Sequence, residues 1–402
     1  MIKGLLKRTV VDRVDARRTR WTLRTLDTIA GYATADPGRC DPERAPDPAR
    51  LRITWVVPPF PAGSGGHATV FRMINHFAER GHPQRLLVFD PFGTATLAEL
   101  ARTLRLHYGG AEAELAQFSP AEVNEAADVV VATSWHTAYA VAGMTRVARK
   151  LYLVQDMEHL FHPAGSEGVM AEESYRFGYP AITAGEWLRR EVAERYGGRA
   201  MKFDFAFDRS VYSDAGAARP DRVVCYVRPT TPRRAFELAL LALRDFQRRS
   251  PDTEVVVFGA ERLPTMGGVR ATNLGLLSPG ELNEVYNGAV AGLVISTTNY
   301  SLVPLEMMAS GLPVVDLATP NNFAVYGGAP DFISLAAPRP DAMGAALHAL
   351  ASDPERRRRQ VEAGHAYVSA LSWEDSCNRI EEIIREYLAT PAGAAEVPRE
   401  AR

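Results

Sequence analysis

Short β-branched apolar runs alternate with amphipathic stretches along most of this 402-residue chain. Arg52–Val57 and Leu86–Phe89 predict strands. Asp128–Ala132 and Leu151–Val154 are continuous apolar runs, as in strands covered on both faces. Between the first two strands, His67–Arg80 puts Val70, Ile74 and Phe77 on one helical face and stops at Gly81. A second series starts at Val223–Val227, a strand, followed by helix Arg234–Arg249 and strand Glu254–Phe258. Helix Pro279–Asn287, strand Gly292–Ser296, helix Pro304–Ser310 and strand Pro313–Asp316 continue it. A last helix, Glu374–Leu388, carries Ile380, Ile383, Ile384 and Tyr387 as one stripe. Such alternation predicts parallel sheets with right-handed crossovers.

The pattern lapses twice. Residues 34–50 hold four prolines and no periodicity, so they predict a linker. Residues 209–221 are small and polar, with Pro220 near the end, and predict an interdomain hinge. The expected division is therefore 1–50, N-terminal helix and linker; 51–208, a first lobe; 221–372, a second lobe; and 373–402, a C-terminal helix and tail. The expected class is α/β, with two doubly wound Rossmann-like lobes facing across a cleft. Ligands of such sheets bind at the carboxyl ends of the strands, and facing lobes bring two ligands together for chemistry. No repeat of solenoid period is present.

Residues 1–30 add a separate feature: eight basic against three acidic side chains, with Leu6, Val10, Val14 and Trp21 at roughly helical spacing. This predicts a basic amphipathic helix. It could make peripheral contact with an anionic membrane face or dock on the protein body. No apolar run reaches the ~18–20 residues needed to span a bilayer, and no signal peptide is apparent, so the expected location is the cytoplasm, at most peripheral at the inner membrane face.

A net charge of −2 gives no push toward nucleic acid. Cys40, Cys225 and Cys377 are isolated and suggest neither a zinc site nor a disulfide framework. Lys202 is the last lysine, which excludes a pyridoxal phosphate Schiff base in the second half.

Candidate chemistry concentrates in the run from Val294 to Val315. A buried strand ends there, and a polar loop containing Tyr300 follows. Ser301 then reads as an N-cap, with Leu302, Val303 and Pro304 opening a helix that Gly311 stops. A helix N-terminus at the carboxyl end of a strand suits a diphosphate. One turn further in, Glu306 could accept ribose hydroxyls, or simply partner the helix dipole.

Several other loops follow strands in the same way. Arg228 and Arg233 come after the first strand of the second lobe; Gly259 and then Asn273-Leu274-Gly275 follow its next strand. In the first lobe Pro59-Phe-Pro-Ala-Gly-Ser-Gly65-Gly66-His67 is a glycine-rich turn between a strand and a helix. Thr133-Ser-Trp-His136 and Gln155-Asp156-Met-Glu158-His159 follow two buried strands. A metal reading of Asp156, Glu158, His159 and His162 competes, but no Asp-x-Asp is present and no metal is expected.

Together these residues resemble the donor-site signature of glycosyltransferase family 4, which has the B-type fold. The family pattern is a Glu, seven residues, a second Glu, then Ala-x-Gly-x-Pro-Val. Here Glu306, Ala309, Gly311, Pro313 and Val314 match it, while Thr298 stands at the first Glu. By that resemblance Arg228 and Arg233 hold the donor diphosphate, with arginine at the family's lysine. Gly259, Asn273 and Leu274 line the base pocket, Gly65 and Gly66 cover the phosphates and sugar, and His136 lies beside the transferred sugar. Gly-Ser-Gly-Gly-His (63–67 region), Gln-Asp-Met-Glu (155–158) and Arg-Pro-Thr-Thr-Pro-Arg-Arg (228–234) are similar to bacterial rhamnosyltransferases of surface polysaccharides. That implies a nucleotide-sugar donor, dTDP-L-rhamnose, a glycan or lipid-linked glycan acceptor, retention at the anomeric carbon and no separate cofactor. Arg228, Arg233, His136, Asp156 and Glu158 are then the candidates for catalysis. A nucleotide-sugar epimerase of the same fold, or a non-catalytic assembly subunit, are the alternatives.

Overall fold

The computed structural model describes residues 16, 19, 20, 22–31, 36–216, 221–328 and 330–390. Most of the basic N-terminal segment lies outside these residues. Residues 22–31 are helical, with Thr25 and Ile29 buried.

The chain divides into two compact units. The first comprises residues 1–183, 191–201 and 381–402; the second comprises 184–190 and 202–380. The helix Trp373–Ala389 thus contributes to both.

The first unit is built on β1 (Ile53–Val57), β2 (Gln84–Val88), β3 (Glu114–Gln117), β4 (Ala127–Ala132), β5 (Val147–Val154), β6 (Ala181–Ala184) and β7 (Ala200–Phe203). Their order across the sheet is β3-β2-β1-β4-β5-β6-β7. Every pairing from β3 through β6 is parallel, with Ile53 opposite Gln84 on one side and Val129 on the other. All five residues of β1 and all six of β4 are buried, as strands covered on both faces of a parallel sheet are, with Asp128 held there by an ion pair to Arg52.

The second unit repeats the plan with β8 (Arg222–Tyr226), β9 (Glu254–Phe258), β10 (Thr272–Asn273), β11 (Ala291–Leu293), β12 (Val314–Leu317) and β13 (Ser334–Ala336). Their order is β10-β9-β8-β11-β12-β13, all parallel. Its core gathers Val223, Cys225, Phe246, Val257, Leu293 and Leu347, among others.

Both sheets reverse strand order at one point, between β1 and β4 in the first unit and between β8 and β11 in the second. A crevice opens at such a reversal, because the helices on either side leave in opposite directions. The loops following these four strands are therefore where ligand chemistry is expected.

The long apolar strands and amphipathic helices fall close to where the sequence places them. Short strands β3, β6, β7, β10 and β13 have no apolar run long enough to announce them. The predicted helix Arg234–Arg249 begins instead at Phe236, after a 3₁₀ turn over Pro232–Arg234. Ala235 between them takes φ 39°, a left-handed conformation that costs a non-glycine residue roughly 1–2 kcal/mol. The kink keeps Arg233 and Arg234 out of the helix.

Candidate functional site

At the reversal point of the second unit, the loop after β8 carries Arg228. A turn closes on it, with the Thr231 N–H donating to the Arg228 carbonyl at 2.9 Å. Arg228 is half-buried, and among the described residues no carboxylate pairs with it. The next loop is tied in from β11: the Thr297 hydroxyl donates to the Arg233 carbonyl at 2.8 Å. Arg234 lies over the ring of Tyr226, 5.6 Å from its centroid.

Two residues not singled out in the sequence shape the loop after β11. Asp316, fully buried at the end of β12, accepts from the Ser296 N–H at 2.9 Å and the Leu317 N–H at 2.7 Å. Burial pushes its carboxyl up to about 6, against the lowering effect of those N–H groups and of Arg234. Asn321 donates to the Ser296 carbonyl at 3.2 Å. A carboxylate within an otherwise apolar run was the available signal for Asp316.

The loop ends at the helix Leu302–Ala309. Gly292 in β11 lets that helix approach closely, since a Cβ there would meet the Met307 sulfur at 2.6 Å. Ser301 has the extended backbone of an N-cap, yet its hydroxyl makes no cap hydrogen bond. The first N–H groups, at Leu302 and Val303, thus receive no cap from it and keep the positive end of the helix available to an anion. Glu306 lies one turn in and stays partly exposed. Burial raises its carboxyl to about 7, with Tyr212 opposing the shift.

Tyr300 differs from expectation. Its side chain is 4% exposed, and its hydroxyl accepts from the Phe205 N–H at 2.7 Å. The ring also fills the space beside Gly185, where a Cβ would lie 2.7 Å from it. Only the Tyr300 backbone is left to face a ligand. Thr298, at the position of the family's first Glu, is buried as well.

Gly259 follows β9 with φ 108°, and a Cβ there would sit 2.6 Å from the Val227 carbonyl oxygen, so glycine is required. Its N–H donates to the Gly275 carbonyl at 2.9 Å, while the Leu274 N–H donates to Val257. The Asn273 side chain donates to the carbonyls of Ala260 and Glu261. These three residues therefore form one backbone ledge beside β8.

The reversal point of the first unit has the same topology but another chemistry. The helix Trp135–Ala142 starts after β4 with a full capping box between Ser134 and Thr137. The Trp135 N–H donates in addition to the Glu158 carboxylate. Glu158, expected as a catalytic candidate, is thus committed to a helix N-terminus. Its own N–H donates to the Tyr175 hydroxyl at 2.9 Å. Asp156 accepts from the Met157 N–H at 2.9 Å.

His136 stacks on Trp135 at 3.8 Å between ring centroids. Burial lowers its pKa to about 4, with nearby His162 adding to the effect, so the ring is neutral at physiological pH. It can exchange hydrogen bonds with a ligand but is a weak proton store.

After β1, the helix Gly65–Glu79 begins at Ser64, whose hydroxyl bonds to His67 Nδ1 at 2.8 Å instead of capping the helix. Gly65 and Gly66 are exposed, and the Gly66 carbonyl accepts from Gln155 at 3.0 Å. Among the described residues, no cluster of three or more His, Cys, Asp or Glu side chains is placed to hold a metal ion, and no helix is long and apolar enough to cross a membrane.

Residues 221–348 match the family model described as WsaF, C-terminal domain. The chain is similar to the O-antigen biosynthesis protein RfbC of Myxococcus xanthus, 32% identical over 353 residues, 85% of this chain and 28% of that protein. It is also similar to the D-inositol 3-phosphate glycosyltransferase of Segniliparus rotundus, 27% identical over 209 residues, 46% of this chain and 44% of that protein. The chain therefore spans less than half the length of either relative. Among solved structures, Anabaena HepE in complex with UDP-glucose superposes with a TM-score of 0.64 at 15% identity, covering 84% of this chain and 100% of that one. Two parallel-sheet Rossmann-like units of this kind are the B-type glycosyltransferase fold.

Proposed function

We propose that the chain is a glycosyltransferase that moves a sugar from a nucleoside diphosphate to a growing cell-surface glycan or lipid-linked glycan. The observation that carries this reading is the reversal point of the second unit. There the loop of half-buried Arg228, which has no carboxylate partner among the described residues, is tied at Arg233 to Thr297, and the helix that follows has a start Ser301 leaves uncapped and Glu306 one turn in. The similarity to an O-antigen biosynthesis protein supports a glycan acceptor.

In this mechanism Arg228 and Arg233, with the Leu302 and Val303 N–H groups, bind the diphosphate and stabilise the charge that grows on it as the glycosidic bond breaks. Glu306 holds the nucleoside sugar, and the Gly259–Asn273–Leu274 ledge receives the base. Residues Gly65, Gly66, His136 and Asp156 of the first unit serve the sugar and acceptor, His136 as a neutral hydrogen-bonding group. Glu158 supports this surface by capping the Trp135 helix rather than by proton transfer. The resemblance to family 4 implies retention, for which front-face displacement assisted by the leaving phosphate is the route that needs no carboxylate nucleophile. Resemblance of the loop motifs to rhamnosyltransferases makes dTDP-L-rhamnose the donor, and the basic residues of segment 1–30 suit contact with an anionic membrane surface.

The test is transfer of labelled rhamnose from dTDP-L-rhamnose to isolated surface-glycan acceptors, with UDP-glucose as the competing donor. Label in the glycan from the first donor supports the reading. Donor consumption without any acceptor would support an epimerase, and no consumption of either donor would support a non-catalytic subunit.

A further inference from the structure

Four consecutive arginines, Arg356 to Arg359, occupy the first turns of the helix Pro354–Ser369. The positive end of a helix disfavours cations, so each of them calls for an explanation. Two have one. Arg357 donates to the carbonyls of Leu350 and Ala351, at 2.9 and 2.6 Å, and so closes the end of the preceding helix. Arg358 pairs with Glu355 at 2.9 Å and with Glu362 at 2.8 Å. Arg356 and Arg359 lie one turn apart, are exposed, and ion-pair with no carboxylate among the described residues. The N-cap carboxylate of Asp353 accepts from the Arg356 backbone N–H at 3.0 Å instead.

These two arginines line one cavity of about 860 Å³, within the size range of small-ligand sites. It lies beside β13, the outer strand of the second sheet, two strands beyond β11 and so away from the reversal between β8 and β11. Its floor is fixed: buried Gln360 accepts from the Ser334 hydroxyl at 2.7 Å and donates to the Val314 carbonyl at 2.9 Å. Phe323, Ile333 and Leu335 form an apolar wall, and Phe323 is 39% exposed, leaving ring surface open to a ligand. Two carboxylates also line the cavity. Glu362 is held by Arg358, and exposed Asp331 has no cation partner among the described residues.

Two unpaired guanidinium groups against one unpaired carboxylate leave a surplus of one positive charge. That suits a single carboxylate held by an arginine fork better than a diphosphate. Asp331 can only accept, so it calls for hydroxyl donors on the same ligand. The Phe323 ring, negative on its face, suits C–H groups. A carboxylate, hydroxyls and a C–H face together describe a sugar acid. A membrane surface would offer many phosphates, which Asp331 repels, and few hydroxyls to meet it.

We propose that this cavity is a second glycan site, which binds an acidic sugar residue of the acceptor polymer apart from the place of transfer. A polymer held there stays with the protein between transfers. The inference rests on the reading of the chain as a transferase acting on a glycan.

Trigalacturonic acid and its methyl ester, which keeps the sugars and removes the charge, are the probes. Their binding to the full chain is followed by ligand-observed NMR at constant ionic strength, with no transfer required. The acid should bind at least about tenfold more tightly than the ester. Arg356→Gln and Arg359→Gln should each weaken the acid by about tenfold and leave the ester unchanged, whereas Phe323→Ala should weaken both. Arg102→Gln, on an exposed helix of the first unit, should change neither. Equal affinity for acid and ester would overturn the proposal, as would arginine variants that bind the acid normally. Displacement of the acid by dTDP would assign it to the donor site, and displacement by an equal concentration of inorganic phosphate would mark a bare anion site; either result overturns the proposal. A chain that binds dTDP but not the acid removes this site alone, while one that binds the acid but not dTDP counts against the donor site alone.

Discussion

The helix after the fourth strand begins at a reversal point in both units, and the two N-termini are treated in opposite ways. At Trp135 the chain supplies its own anion: the Ser134–Thr137 box and the Glu158 carboxylate satisfy the helix start. At Leu302 the N-cap Ser301 makes no side-chain bond, and the cation on the neighbouring loop, Arg228, has no carboxylate partner among the described residues. The same reversal therefore carries one helix start satisfied from within and one that its N-cap side chain leaves open. A fold supplies the position, but the side chains decide whether it is filled from within or left for a ligand.

The open site gives the largest expected effects. Arg228→Ala should lower sugar transfer by about 100-fold or more, because it removes charge stabilisation of the leaving diphosphate. Steady-state turnover of dTDP-L-rhamnose checks this, and near-normal turnover would reassign the residue.

Next is a pH effect of about tenfold. A carboxyl raised to about 7 in the free protein must lose its proton before both of its oxygens are free to accept from a nucleoside's hydroxyls. Affinity for dTDP should therefore rise as pH goes from 6 to 8, by about tenfold through this group. Titration of the nucleotide's own phosphate is shared by Glu306→Gln, so the difference between wild type and variant isolates the carboxyl. The stability effect has the opposite sense. A folded pKa above the unfolded one favours the folded state at low pH, and that contribution is lost as pH rises toward 7. Glu306→Gln should flatten the dependence of the free protein's stability on pH between about 4.5 and 7.

The closed site predicts a change in stability with none in nucleotide binding. Glu158→Ala removes a charged cap and should destabilise the first unit by about 1–2 kcal/mol, seen by denaturant melting, while the Kd for dTDP stays the same. The smallest effect is at His136. Its pKa of about 4 keeps it neutral from pH 5.5 to 8, so the difference in pH profile between wild type and His136→Gln should show no step in that range.

Much of this was legible in the sequence, for identifiable reasons. The stretch Val129–Ala132 is buried and reads as an unbroken apolar run, Arg228 and Gly259 occupy loop positions set by strand ends, and Glu306 stands one turn into the helix that follows such a loop. The short strands Thr272–Asn273 and Ser334–Ala336 lie at sheet edges with little apolar content and left no such mark. The commitments of Glu158 to Trp135 and of Tyr300 to Phe205 join residues 23 and 95 positions apart. Side-chain type and local spacing carry no information on such pairings. An acid after a strand looks the same in sequence whether it meets a substrate or a neighbouring helix.

Amide hydrogen exchange of the full chain with and without saturating dTDP tests the contrast between the two helix starts directly. Binding should slow exchange at Leu302 and Val303 and through the Arg228–Arg234 turn, and leave Trp135, already bonded to Glu158, unchanged. Protection centred on the Trp135 helix, or no protection in the second unit at a dTDP concentration that saturates binding, would contradict the assignment of the open helix start as the nucleotide site.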